Sequence, residues 1–159
     1  MSVKVAVRTR PFNQREIELN STLCVKMKGS TTFLINPKDD KKREFSFDHS
    51  FWSHDGFIDE GNGYSIPEGP NSNYACQRKV FKELGEDVLN NAWEGYNCCC
   101  FAYGQTGAGK SYSMVGYGVN LGIIPVASAE IFRRISENDN PNLSYEVTAS
   151  MLEIYNERV

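Results

Sequence analysis

The sequence predicts an α/β domain, a central mixed β-sheet flanked by helices, and three observations carry that prediction. Val3, Val5 and Val7 alternate with Lys4, Ala6 and Arg8, which is the period of a strand. Val80, Leu84 and Val88 recur every four residues, with Phe81 and Leu89 widening the stripe, which is the period of a helix packed by one face. The third is a continuous apolar run, Cys98-Cys99-Cys100-Phe101-Ala102-Tyr103, that leads directly into a glycine-rich loop. Such a run suits a strand buried on both faces of a sheet.

That loop, Gly104-Gln105-Thr106-Gly107-Ala108-Gly109-Lys110-Ser111, fits the pattern G-x-x-x-x-G-K-[ST] at every fixed position. Gly104, Gly107 and Gly109 let the backbone turn through dihedrals closed to other residues and bring its N–H groups around an anion. Lys110 places a point charge on the outer phosphates, and the Ser111 hydroxyl completes a Mg²⁺ shell otherwise made of water and phosphate oxygens. A helix-compatible stretch opens at Lys110, and its N-terminus adds donors and partial positive charge. Strand, glycine loop and helix together predict a P-loop NTPase fold and a bound ATP or GTP. The loop itself grips phosphates and does not distinguish bases.

The remaining elements follow from local pattern. The first strand stops at Pro11, and a polar stretch runs from Asn13 to Ser21. Short strands at Leu23–Met27 and Thr31–Ile35, joined at Lys28-Gly29-Ser30, form a small hairpin lobe. Asn36 to Glu44 reads as a charged loop, after which Phe45-Ser46-Phe47-Asp48 resumes alternation and leads into the aromatic-rich His49 to Ser53. Glycines and prolines at 56, 61, 63, 67, 69 and 70, with almost no apolar period, make Asp55 to Asn73 a long surface loop. A helix is expected from Tyr74 to Trp93, capped by Asn73 and ended by Gly95. The helix opened at Lys110 breaks at Val115-Gly116-Tyr117-Gly118 and restarts near Pro125, carried by Val126, Ala129, Ile131, Phe132 and Ile135 to about Ser136. Asn138 to Asn142 is a turn, and the β-branched and aromatic run Tyr145 to Tyr155 is a further strand.

Bulk composition narrows the class. With 159 residues, 40% apolar and 23% charged, the chain suits one domain with one core, which argues against disorder and coiled coil. A net charge of −3, and a basic patch broken by acids at Lys38-Asp39-Asp40-Lys41-Lys42-Arg43, argue against a nucleic-acid surface. No apolar run reaches membrane-spanning length, and Met1-Ser2-Val3-Lys4-Val5 lacks the apolar core of a secretory signal, so a cytosolic location without membrane contact is expected. Cys24, Cys76, Cys98, Cys99 and Cys100 match neither a zinc clip nor a disulfide framework and read as buried apolar fillers. His49 and His54 have no ligand-spaced partners and read as structural or surface groups.

Several words in order resemble the N-terminal part of a kinesin motor domain. They are Val3 to Asn13 with its R-x-R-P element Arg8-Thr9-Arg10-Pro11, Phe45-Ser46-Phe47-Asp48, Gln77-Arg78-Lys79-Val80-Phe81, Gly95-Tyr96-Asn97, Phe101 to Ser111, and Glu153-Ile154-Tyr155-Asn156-Glu157. The resemblance implies ATP with Mg²⁺ as the ligand. Arg8, Arg10 and Pro11 would form one side of the adenine site, with Tyr112 packed on the base, and guanidinium planes and a Tyr ring can stack on a purine. It also implies tubulin as the partner of the longer protein, on cytoplasmic microtubules. Phe51-Trp52-Ser53-His54 and Gly109-Lys110-Ser111-Tyr112-Ser113-Met114 are most similar to the cargo-transporting branch that carries a forkhead-associated domain.

A kinesin motor also uses a first switch with the word N-x-x-S-S-R and a second with D-x-x-G, and neither word occurs in these residues. Residues 1–159 are therefore expected to be the leading part of a motor domain, its sheet incomplete on the C-terminal side and its phosphate grip present without switches or neck linker. Such a segment is expected to bind nucleotide weakly, to fold poorly through unpaired strand edges, and to show no microtubule-stimulated turnover. The competing readings are a short non-catalytic nucleotide- or partner-binding module, and an unrelated P-loop enzyme such as a small-molecule kinase.

Overall fold

A computed structural model describes residues 3–159; Met1 and Ser2 of the opening segment lie outside the described residues. The first strand, β1 (Ala6–Thr9), pairs in parallel with β5 (His49–Trp52), Ala6 opposite His49 and Thr9 opposite Trp52. Side chains extend the pairing beyond the ladder: Asp48 accepts from the Val5 N–H at 2.7 Å, and the Thr9 hydroxyl donates to the Phe51 carbonyl at 3.4 Å. A parallel pair needs a long crossover. Here it contains a short helix α1 (Gln14–Glu18) and an antiparallel sheet of β2 (Val25–Lys28), β3 (Thr31–Ile35) and β4 (Lys42–Ser46).

The expected hairpin lobe is present, turning at Gly29, whose φ of 58° is in the left-handed region. Two expectations beside it are corrected. The polar stretch after Pro11 contains a helix, because Asn13 and Glu16 form a capping box: the Asn13 side chain accepts from the Glu16 N–H and the Glu16 carboxylate accepts from the Asn13 N–H. The charged segment Asn36 to Glu44 is loop only as far as Lys41. From Lys42 it is edge strand, where the Lys42 ammonium sits 3.8 Å from the Phe33 ring centroid and 3.1 Å from Glu44. Charged residues belong on an exposed edge.

The segment Asp55 to Asn73 is not merely a surface loop. It folds into a hairpin of β6 (Phe57–Asp59) and β7 (Ser65–Pro67), with Tyr64 buried. Asp59 closes its turn by accepting from the N–H groups of Gly61 and Gly63, which is the Asx chemistry of a tight turn.

The first long helix begins at Gln77, with Cys76 rather than Asn73 at the N-cap position and no side-chain capping hydrogen bond there. Tyr74 and Ala75 are taken by the sheet, since Tyr74 bridges Trp52 and the Ala75 N–H donates to the Trp52 carbonyl at 2.6 Å. The helix runs as α2 (Gln77–Val80), a π-helical stretch (Phe81–Gly85) and α3 (Glu86–Trp93), and ends at Gly95 with φ 91° as expected. Phe81, Gly85 and Leu89 are its buried positions after Val80. A four-residue repeat drifts about 40° per step on an α-helix of 3.6 residues per turn, and the wider π turn absorbs that drift.

The glycine loop opens α4 (Lys110–Met114), which breaks into a small hairpin of β8 (Gly116–Tyr117) and β9 (Asn120–Leu121) before α5 (Ile123–Ser136). This is the expected break and restart, with Pro125 in the first turn of α5. The core lies where β5 meets these helices and consists of Phe51, Ala75, Val80, Phe81, Leu89 and Ile123.

Two expected strands are corrected. Residues 98–103 and 145–155 form no ladder apart from a single bridge between Tyr155 and Arg158. Tyr103 is 95% exposed and Met151 100%, and of the three consecutive cysteines Cys98 and Cys99 are exposed while Cys100 alone packs against the core. A strand exists by pairing, and no described segment hydrogen-bonds along either run. The α/β class holds, with its strands distributed over four small sheets.

Gly85 tests the packing of the π turn. A Cβ there would lie 2.5 Å from Phe81 Cδ2. Gly85→Ala is expected to destabilise the chain by about 1–3 kcal/mol, the range for overpacking a core. Denaturant unfolding followed by far-UV ellipticity measures it, and an unchanged or raised midpoint would show that the ring has room to move.

Candidate functional site

The loop from Gly104 to Ser111 has the backbone its glycines were read for. Gly104, Gly107 and Gly109 take φ of 150°, 78° and 97°, all in the region that L side chains rarely adopt. A turn closes the tip, where the Ala108 N–H donates to the Gln105 carbonyl at 3.1 Å. Lys110 folds back over the loop, and its ammonium donates to the carbonyls of Gly104 and Gln105, each at 2.8 Å. These are neutral acceptors, so the lysine charge is cradled without being neutralised, and an anion in the loop would be its stronger partner. Gln105, Thr106 and Ser111 are exposed.

The end of β1 stands beside this loop. Arg10 Nε donates to the Gly107 carbonyl at 2.6 Å, while its two terminal nitrogens each donate to Glu16, both at 2.7 Å. The Arg10 hydrogen bond, followed by that from the Asn13 N–H, holds the Glu16 carboxyl down at about 2. Pro11 is exposed next to this clamp. His54 takes the structural role expected of it: its Nδ1 lies 3.1 Å from the Arg10 carbonyl oxygen, and its ring meets Phe12 edge-on.

Arg8 lies further in. Its guanidinium donates to Ser53 Oγ at 2.9 Å, Gln77 Oε1 at 2.7 Å, Ser113 Oγ at 3.1 Å and the Ala75 carbonyl at 3.3 Å. Burial draws its pKa down from the usual arginine value, yet a guanidinium stays charged. It is centred 5.2 Å from the Tyr112 ring, whose neighbour Tyr117 stacks on it at 6.0 Å. Tyr112 is half-buried, and that burial, with Tyr74 next in effect, pushes its phenol up to about 12. Arg10, with Pro11 next to it, thus stands against the loop, while Tyr112 lies with Arg8, Tyr117 and Tyr74 at the start of α4, and Arg8 is a buried support rather than an open face.

Ser53, Gln77, Ser113 and Glu16 were not singled out as site residues. Glu16 had a readable signal, the N-x-x-E capping pattern from Asn13. The other three meet Arg8 through tertiary contacts, for which one-dimensional pattern offers no sign.

A family model described as the kinesin motor domain matches residues 8–159. The chain belongs to the kinesin motor-domain family. It is 49% identical over 162 residues to the kinesin-like protein KIF1A of Rattus norvegicus, covering 99% of this chain and 9% of that protein. It is 48% identical over 159 residues to rat KIF28, covering 99% of this chain and 15% of that protein. Solved structures of KIF14 motors, one described with ADP and one with AMP-PNP, each in complex with a microtubule, superpose with TM-scores of 0.74 and 0.75 at 36% identity. They cover 88% and 89% of this chain and 35% of theirs. The chain therefore spans a small part of the length of these relatives.

Kinesin motor domains bind nucleotide with Mg²⁺. The donor set fits that pairing: Ser111, an exposed residue, presents one hydroxyl beside the phosphate loop. One hydroxyl suits a cation that arrives with phosphate oxygens and keeps its waters.

Glu16 gives this kinesin segment a pH signature. Its carboxyl titrates at 4.5 when free and about 2 when folded, so the stabilisation from the Arg10–Glu16 clamp is fully present above about 4.5 and is lost as pH falls through about 2. Carboxyl chemical shifts followed through an acid titration should place Glu16 well below the ordinary glutamate range, in company with Glu130, which Arg133 and Arg134 also hold down at about 2. A midpoint near 4.5 would show that the clamp does not form.

Proposed function

We propose that this chain is the ATP-binding, leading part of a kinesin motor domain, and that the longer protein is a cytoplasmic microtubule motor. The observation that carries this reading is the glycine loop closed over by Lys110, with Arg10, Pro11 and Tyr112 beside it. The family match supports it, as do the KIF14 motors described on microtubules.

The loop N–H groups and the Lys110 ammonium hold the phosphates, Lys110 exchanging the carbonyls of Gly104 and Gln105 for charged oxygens. Gln105, Thr106 and Ala108 form the rim of that nest. Ser111 contributes its hydroxyl to Mg²⁺. Arg10 and Pro11 on one side, and Tyr112 on the other, face the base, while Arg8 fixes Tyr112 from behind. Bound ATP with Mg²⁺ supplies the phosphoryl bond whose hydrolysis a motor couples to movement. These residues bind and orient. The two switch words are not among them, and we propose that residues 1–159 hold nucleotide without microtubule-stimulated turnover.

Lys110→Ala removes a charged partner of the phosphates and is expected to weaken ATP binding at least about tenfold, since hydrogen bonds to charged groups contribute about 1.5–3 kcal/mol. Ser111→Ala is expected to abolish the Mg²⁺ dependence of affinity while leaving a magnesium-free residue of binding. Calorimetric titration with ATP, and with GTP in competition, measures both. Equal affinities for the native chain and Lys110→Ala would remove the loop from the binding site.

A further inference from the structure

Gln77 is a polar residue 4% exposed, at the first position of α2, and every polar atom of its side chain is engaged. Its Oε1 accepts from Arg8 at 2.7 Å. Its Nε2 donates to the Tyr112 carbonyl at 2.6 Å and to the Asn120 carbonyl at 3.2 Å. The Tyr112 contact answers a local need. Helix α4 ends at Met114, so the Tyr112 carbonyl falls in the last turn, where helical acceptors have no partner of their own. One buried carboxamide therefore joins β1, the end of α4 and the start of β9.

Asn120 carries the connection outward. Its Oδ1 accepts from the Ser65 N–H at 3.0 Å and its Nδ2 donates to the Gly63 carbonyl at 2.7 Å, so its side chain pairs with the β6–β7 hairpin as a strand backbone would. The same hairpin is held at a second point: the buried Tyr64 hydroxyl accepts from the Arg78 N–H at 3.1 Å, and the Arg78 guanidinium lies 4.3 Å from the Tyr64 ring centroid. Arg78 directly follows Gln77. The hairpin within the Asp55 to Asn73 segment, to which no role has been assigned so far, is thus fastened to the residue that holds Tyr112.

We propose that Gln77 and Asn120 are positioning residues that make the β6–β7 hairpin part of the frame of the nucleotide site. Gln77 sets the height and direction of Tyr112 and the seat of Arg8, and Asn120 transmits the hairpin's position to Gln77. The hairpin then tunes recognition of the base without touching it. The inference rests on the reading that Tyr112 and Arg10 face the base while the glycine loop grips phosphates, and it assigns Gln77 and Asn120 to the base half alone.

The test compares the affinity of the full chain for ATP with that for inorganic tripolyphosphate, which presents phosphates without a base. Gln77→Glu keeps the size and the Arg8 contact and loses the donors to Tyr112 and Asn120; Asn120→Ala releases the hairpin and leaves α2 and α4 intact. The ratio of ATP to tripolyphosphate affinity is expected to fall about tenfold for Gln77→Glu, the loss of one well-made hydrogen bond, and about threefold for Asn120→Ala, with tripolyphosphate affinity retained. Asn120→Asp, which keeps the acceptor for Ser65, is expected to recover part of the ratio. A native chain that prefers ATP, with a ratio unchanged in both variants while their far-UV ellipticity matches the native chain, overturns the positioning role and leaves the base site standing. A native chain with no preference for ATP over tripolyphosphate overturns the base site and the proposal with it. Because the readout is a ratio measured on each variant, a partly unfolded preparation scales both affinities and does not imitate the expected result.

Discussion

The half-buried end of β1 depends on one guanidinium. Arg8 is drawn out of water with no carboxylate bonded to it among the described residues, and its charge is spread over Ser53, Gln77, Ser113 and the Ala75 carbonyl. Burying a charge costs several kcal/mol, which such an arrangement offsets only when nearly every donor finds an acceptor. The four acceptors come from the end of β5, the turn into α2, α2 itself and α4. Satisfying one side chain therefore fixes the mutual placement of the sheet and of both helices that flank it. Ser53 shows how closely this is drawn: it accepts from Arg8 and also donates to the Ala75 carbonyl at 2.7 Å, so the residue whose N–H is taken by the sheet also supplies the carbonyl that closes the guanidinium's shell.

Two residues further on, Arg10 repeats the device at the surface, with a different balance. Its partners are a true carboxylate, Glu16, and the Gly107 carbonyl of the phosphate loop. In this half-exposed setting the ion pair contributes little by itself. Its effect is geometric, because the capping box that makes α1 also orients Glu16, and Glu16 orients Arg10 against the loop. A short helix of five residues, marginal alone, thus bears on the shape of a loop nearly a hundred positions later.

What could be read from the sequence divides by the range of the interaction that decides it. The glycine loop, the hairpin turn at Gly29, the stop at Gly95 and the break at Val115 to Gly118 were all legible, since each is decided by dihedrals available to one or two residues. The strands expected at 98–103 and 145–155 have the right residues for pairing, but pairing is a property of two segments, and composition reports only one. The hairpin around Tyr64 was hidden for the opposite reason: its glycines read as punctuation, while its order comes from Asp59, Asn120 and Arg78. Within the candidate site, the loop's glycine geometry could be anticipated. The inward turn of Arg8 could not, because its acceptors lie on three separate stretches of chain, around Ser53, Ala75 to Gln77, and Ser113.

The two unpaired apolar runs have a calorimetric consequence. Phe101 is 79% exposed, and Leu152, Ile154 and Tyr155 lie in water with it, so the folded chain already hydrates side chains that an average domain of this length conceals. Unfolding then uncovers less new apolar surface, and both the heat-capacity increment and the denaturant slope shrink with it. The increment falls below the roughly 12–15 cal/mol/K per residue of ordinary globular proteins, and the curve of stability against temperature becomes shallow. A chain of this kind melts broadly and loses little on cooling, its thermodynamics set as much by what it fails to cover as by the small core around Phe51.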